Sequence, residues 1–141
     1  GLGQNDPTAG FVHARHGYRQ PPQSGLVQAS ARGFAVPLLP PLGGHCRGQM
    51  AIRVNTSRGP IVLASDAAHL YQEWEEERPF GVFYDMKAML DGYGLLSDLS
   101  GGKRTEMIAG HDVEVMNMFP APAKELEGVA VALHADPIQL E

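Results

Sequence analysis

The chain predicts an α/β layered protein, and three observations carry that reading. Short apolar or alternating runs bounded by turn residues are interleaved with stretches of helical spacing, in the order β-β-α-α-β. Hydrophobic residues make up 43% of the chain and charged residues 19%, a balance that favours a packed core over disorder. At 141 residues the length suits one ordinary domain, and no internal repeat divides it.

The regular pattern starts near residue 43. Residues 1–42 hold six Gly and six Pro against a single acid, Asp6, and "RQPPQSG" and "PLLPPLGG" read as turns or extended polyproline-like chain. This irregular Gly/Pro/Gln-rich segment is a flexible leader, a packed irregular stretch, or a piece not native to the fold. Residues 43–141 carry the periodic apolar spacing and form the folded unit.

Within that unit, Met50 to Thr56 alternates as a half-buried strand, "SRGP" turns the chain, and Ile61 to Ala64 makes a partner strand buried on both faces. Ala67 to Glu77 reads as a helix with Asp66 at its favoured start position. "RPFGVF" is a loop. Asp85 caps a second helix with Met86, Met89, Leu90, Tyr93 and Leu96 on one face, which "SGGKR" ends. Thr105 to Ala109 is a short strand leading into Gly110-His111-Asp112. A helical turn and the breaker stretch "FPAPAKELEG" follow, then Val129 to Leu133 as a last strand.

Several function classes are excluded by what the sequence lacks. The net charge is −5 with no block of Lys or Arg, so no basic face exists for nucleic acid. No run of about 18 apolar residues offers a membrane span. The first ten residues lack the basic start and apolar stretch of a secretory signal. One cysteine cannot form an internal disulfide, which fits a reducing, cytoplasmic setting.

Chemistry concentrates at three junctions. His45 precedes a strand in "GGHCRGQMAIRV", while Asp66 in "LASDAAHLY" and His111 in "MIAGHDVEV" each follow one. Strand ends are where layered α/β proteins build sites, and imidazole with carboxylate suits zinc, iron or manganese. The pattern alone leaves two readings open: a metal-ligating trio, or a capping Asp with two polar loop histidines. Cys46 beside His45 does not make a thiol–imidazole nucleophile, because neighbours on a turn point apart and no third group orients the base.

Taken together, "GGHCRGQMAIRV", "IVLASDAAHLY" and "IAGHDVEVM" resemble, in order and spacing, the C-terminal half of the metallo-β-lactamase superfamily, and most closely its N-acyl homoserine lactonase-like hydrolases. "RPFGVFYDMKAMLDGYGLL" is similar to the family's segment between its last two ligands, so the resemblance covers about residues 43–134. It implies the C-terminal half of a four-layer αββα sandwich, preceded here by the irregular segment. It further implies that His45 ligates one metal ion, His111 a second, and Asp66 bridges both, with zinc the usual metal. In the family the two ions share a hydroxide that opens a lactone or ester, since metal binding lowers the pKa of water to about 7. Asp66 is then the catalytic residue that hands a proton to the leaving alkoxide. His69, at the place of a substrate-contacting tyrosine in some lactonases, together with Tyr71 and Phe80, becomes a candidate substrate contact. The alternatives are an ordinary polar helix residue for His69 and core packing for Phe80. Trp74 is expected to pack on the loop beginning at Pro79.

One departure from the family is large. Its upstream His-x-His-x-Asp-His stretch does not occur in this sequence, and "HARH", His13 to His16, is a poor substitute. Each zinc needs about four donors, so His45, Asp66 and His111 do not complete two tight sites alone. The chain is therefore expected to be a C-terminal portion of such an enzyme, or a diverged form completed by an oligomer or a complementing chain. The leading function is a metal-dependent, quorum-quenching type of lactone or ester hydrolase acting on a small molecule, weakly active or inactive as it stands. A glyoxalase II-like thioesterase and a non-catalytic remnant or interaction module are the rivals.

Overall fold

The computed structural model describes residues 27–31, 34–38 and 42–138, the first two stretches as backbone strands. Five strands form one sheet in sequence order: β1 (Val27–Ala31), β2 (Phe34–Leu38), β3 (Ile52–Thr56), β4 (Gly59–Ser65) and β5 (Met107–Ala109). β1 and β2 pair antiparallel, and Leu38 meets Ile52 to join β2 to β3. The hairpin β1–β2 lies inside the segment 1–42. "HARH" lies outside the described residues.

β3 and β4 form an antiparallel hairpin with Val54 opposite Ile61. β5 instead runs parallel to β4, with Leu63 opposite Ile108. A parallel pair needs a crossover, and helices α1 (Tyr71–Glu75) and α2 (Met86–Ser100) supply it. Helix α3 (Glu114–Met118) and a single 3-10 turn at Lys124–Leu126 follow β5. The parallel β4–β5 pair sends both strands out at one sheet edge, which brings the loops after Ser65 and after Ala109 side by side.

Helix α2 forms where its sequence predicts. The Asp85 carboxylate accepts the Ala88 N–H at 3.0 Å, and Gly101 ends the helix in a left-handed conformation. Met89, Tyr93 and Leu96 share its buried face and pack with Ile61, Val62, Ala64 and Met107 of the sheet. Met86, expected on that face, is exposed because it sits in the first turn beside the exposed Val82–Tyr84 loop. Each buried side chain of this size contributes about 1.5–3 kcal/mol relative to exposure, so the α2–sheet contact is the main adhesion.

Three other expectations are corrected and one is sharpened. Helix α1 spans Tyr71–Glu75 rather than Ala67 to Glu77, because Ala67 and Ala68 close a tight turn onto the carbonyls of Ala64 and Ser65. Asp66 therefore caps nothing; Asp112 does that work, its Oδ2 accepting the Tyr71 N–H at 2.9 Å. Trp74, expected against the Pro79 loop, is buried with its indole N–H donating to Ser97 Oγ of α2 at 2.8 Å. Val129 to Leu133 is not a strand: Ala132 makes one backbone bond to Pro120, while side chains of Arg58 and Ser57 take the carbonyls of Leu133 and His134. Among the described residues, no helix is long and apolar enough to cross a membrane.

Candidate metal centre

The loops leaving β4 and β5 are laced together by backbone bonds. Gly110 N–H donates to the Ala68 carbonyl and His111 N–H to the His69 carbonyl, each at 2.9 Å. This crossing leaves no room for a side chain at Gly110, where a Cβ would stand 2.5 Å from the Ser65 carbonyl oxygen. The Gly-His-Asp motif thus divides three tasks. Gly110 allows the close approach, His111 projects its ring, and Asp112 clamps the chain through Tyr71 N–H and Glu114 N–H.

Asp66, His69 and His111 converge at this edge, with one candidate donor atom from each lying within 4.8 Å of the others. His111 Nε2 is 2.7 Å from Asp66 Oδ1, and His69 Nε2 is 4.0 Å from the same oxygen. The His111 hydrogen bond holds Asp66 below the usual carboxylate range; partial burial opposes it, and the charges of His111, His69 and His45 reinforce it. The rings of His69 and His111 stack at 5.3 Å, and Phe80 lies 4.2 Å from His69 on the loop side. His69 is the buried member of the group, while the side chain of His111 is 63% exposed.

His45 stands at the margin. Its ring meets that of His69 edge-on at 5.1 Å, and its Nδ1 lies 2.9 Å from the Val82 carbonyl oxygen. A carbonyl partner there fixes the proton on Nδ1 and leaves Nε2 as the lone-pair nitrogen. The turn that carries it depends on Gly44, at φ 83°, whose carbonyl accepts the Tyr84 and Asp85 N–H groups. Cys46, in the same turn, is exposed, with Sγ 3.9 Å from Gln49 Oε1. Tyr71 points away from the edge into the core at 1% exposure, and its hydroxyl donates to the Arg104 carbonyl.

A metal ion fits this group in one way and not in another. Three side-chain donors match a catalytic site for a single ion, which keeps its fourth place open. The 4.0 Å between His69 Nε2 and Asp66 Oδ1 is close to twice a metal–donor length of about 2.0–2.1 Å. Two ions at about four donors each exceed what the described side chains offer. The sequence pointed to His45, Asp66 and His111; the fold brings the last two together with His69, which the sequence placed near them for a different task, the i, i+3 spacing from Asp66 being the available clue. It gave no sign of Glu73, which backs the His69 ring.

No protein-family model and no curated protein matches the chain. Solved structures do. An N-acyl homoserine lactone hydrolase with its product N-hexanoyl-L-homoserine at the catalytic metal centre is 25% identical at a TM-score of 0.53, covering 62% of this chain and 35% of that one. A B. thuringiensis lactonase variant with N-decanoyl-L-homoserine at its active site gives the same figures. A quorum-quenching N-acyl homoserine lactone lactonase is 26% identical at 0.51, over 60% of this chain and 35% of the other. The chain thus spans about a third of the length of the structures it matches. A mixed sheet with His and Asp donors at its parallel edge is the build of a metallo-β-lactamase-like hydrolase fold, present here in part. Over the matched part the fold is similar to that of the N-acyl homoserine lactonase structures.

Proposed function

We propose that this chain carries the metal-binding edge of a hydrolase that opens lactone or ester rings. The observation that supports it is the convergence of Asp66 and His111 at 2.7 Å, with the His69 and His45 rings ranged alongside. Asp66 and His111 are the central ligands, and His45, with Nδ1 turned to the Val82 carbonyl, ranges beside them outside the group whose donor atoms converge. A divalent ion held there, zinc first and iron or manganese next, supplies Lewis acidity toward a carbonyl oxygen.

The chain's own groups then define the rest. Phe80, packed on His69 and 39% exposed, presents an apolar face beside the donors, and Val82 and Phe83, also exposed, follow it in the same loop. An acyl chain lies against it while the lactone carbonyl faces the donors. Asp66, an ionised carboxylate with an oxygen at the centre and a partly exposed side chain, is placed to take the proton released by the attacking water and pass it to the leaving alkoxide. Tyr71, buried on the Arg104 carbonyl, takes no part in substrate contact.

The test is hydrolysis of acyl homoserine lactones against glutathione thioesters by the zinc-loaded chain. Metal-dependent lactone opening that Asp66→Asn abolishes is the expected result. Preferential thioester cleavage would favour a glyoxalase II-like reaction instead, and no turnover of either a non-catalytic module.

A further inference from the structure

Sequence spacing and fold likeness leave the buried Glu73 without a task, and it lies directly behind His69. Glu73 is 7% exposed and His69 8% exposed, so neither reaches water freely. One oxygen, Oε2, accepts the His69 backbone N–H at 3.2 Å and lies 3.4 Å from the ring Nδ1. Nδ1 has no aligned hydrogen bond there, and no other group reaches it.

Each ring nitrogen faces a carboxylate, and the nearer one favours the proton on its side: Glu73 Oε2 is 3.4 Å from Nδ1 and Asp66 Oδ1 4.0 Å from Nε2. The favoured neutral tautomer therefore places its proton on Nδ1. Nε2 then holds the lone pair, and Nε2 is the atom 4.0 Å from Asp66 Oδ1. A lone pair and an anionic oxygen confront each other at the sheet edge. Phe80 and His111 cover the ring on its sides, which leaves little room for solvent to mediate. A cation shared with His111 reconciles the three groups.

We propose that His69, held by the buried Glu73, is the third protein donor of a one-ion centre with Asp66 and His111. This rests on the metal-binding reading above and goes beyond it. His69 ceases to be a substrate contact and becomes a ligand through Nε2, and Glu73 becomes a positioning residue. A carboxylate behind a ligating imidazole fixes its tautomer and orientation, and loss of such partners lowers metal affinity about 10- to 100-fold.

The experiment titrates cobalt(II), as the chloride, into the full chain, read by its visible absorption. Imidazole nitrogen NMR of the zinc-loaded chain reports each ring's protonation without any substitution. One equivalent is expected to bind, with His69 protonated on Nδ1 and its Nε2 resonance moved by the metal. Glu73→Gln, whose carbonyl oxygen still accepts the His69 N–H, should weaken binding about 10- to 100-fold, and His69→Leu further. Glu75→Gln, on the exposed face of the same helix, should leave binding unchanged. Metal bound with His69 resonances unmoved overturns the assignment but spares the metal-binding reading. So does a His69 ring protonated on both nitrogens, which makes it an ion-pair bridge between Asp66 and Glu73. A wild-type chain that binds no cobalt overturns both.

Discussion

At the Gly59 end of β4, polar side chains close onto backbone carbonyls. Arg58 donates to the carbonyls of Leu133 and Thr105 and lies 5.0 Å above the Phe119 ring, while Ser57 Oγ donates to the His134 carbonyl at 2.9 Å. At the Ser65 end of the same strand the polar groups meet one another instead. Asp66 Oδ1 meets His111 and His69, His69 Nδ1 is buried without a hydrogen bond, and the His111 ring stands largely in solvent. The first end fastens the C-terminal segment to the sheet. The second holds donor capacity that the chain itself does not use, the condition expected of a binding site rather than of a structural clasp.

Gly110→Ala tests whether the second end depends on that close crossing, and it should have the largest effect. The added Cβ would meet the Ser65 carbonyl carbon and oxygen at 2.7 and 2.5 Å, so β4 and β5 must part where the donors converge. A loss of more than about 3 kcal/mol is expected in urea unfolding, with metal affinity lost in parallel. Unchanged stability would mean the two loops cross more loosely than their bonds imply.

Arg58→Ala probes the opposite end and should separate the two properties. It strips a charged donor from two carbonyls and a cation from an aromatic face, at a cost of about 3 kcal/mol. Metal affinity, read by cobalt(II) titration of the folded protein, should stay within error of wild type. A shared loss would show that the ends of β4 are coupled through the strand.

Much of this contrast was legible in the sequence, and what was not has physical reasons. Helix α2 announced itself because Asp85 caps it and Met89, Tyr93 and Leu96 recur at helical spacing, so local preference and burial agree. Helix α1 was overestimated because "AAHLYQEWEEE" favours helix locally, while Ser65 at φ 50° and the crossing to Gly110 force Ala67 and Ala68 into a turn. Val129 to Leu133 has strand-like composition, yet the Arg58 side chain occupies a carbonyl that a neighbouring strand would need. The strand-end position of Asp66 and His111 was visible from motif order. The difference between His45 and His69 was not, because it depends on which ring the fold buries against Glu73.

Tyr71 gives a pH test at the boundary between the two ends. Burial pushes its phenol up to about 12, against an ordinary 10.0. A raised value in the folded state means its stabilising contribution is intact below pH 10 and is lost as pH rises from there toward 12. About 2 kcal/mol should disappear across that window, followed by tyrosinate absorbance and chemical unfolding. Tyr71→Phe should remove that share of the profile and leave the share of Tyr93, which burial also pushes up to about 12. A normal tyrosine titration would place the ring in solvent, where a substrate could reach it.

The smallest effect carries the sharpest sign. If the Ser65 end holds its groups for a ligand, removing one should not destabilise the metal-free chain. His69→Leu replaces a buried ring whose Nδ1 lacks a hydrogen bond with an apolar side chain, and Glu73 keeps the residue-69 backbone N–H as its partner. Burying a polar atom without a partner costs about 1–3 kcal/mol, so the variant should gain about 1 kcal/mol after the lost ring contacts to Phe80 and His111 are counted. Thermal melting in the presence of a chelator reads this directly. A loss of similar size would mean that His69 already serves as an ion-pair bridge between Asp66 and Glu73. That would make the Ser65 end a clasp like the other.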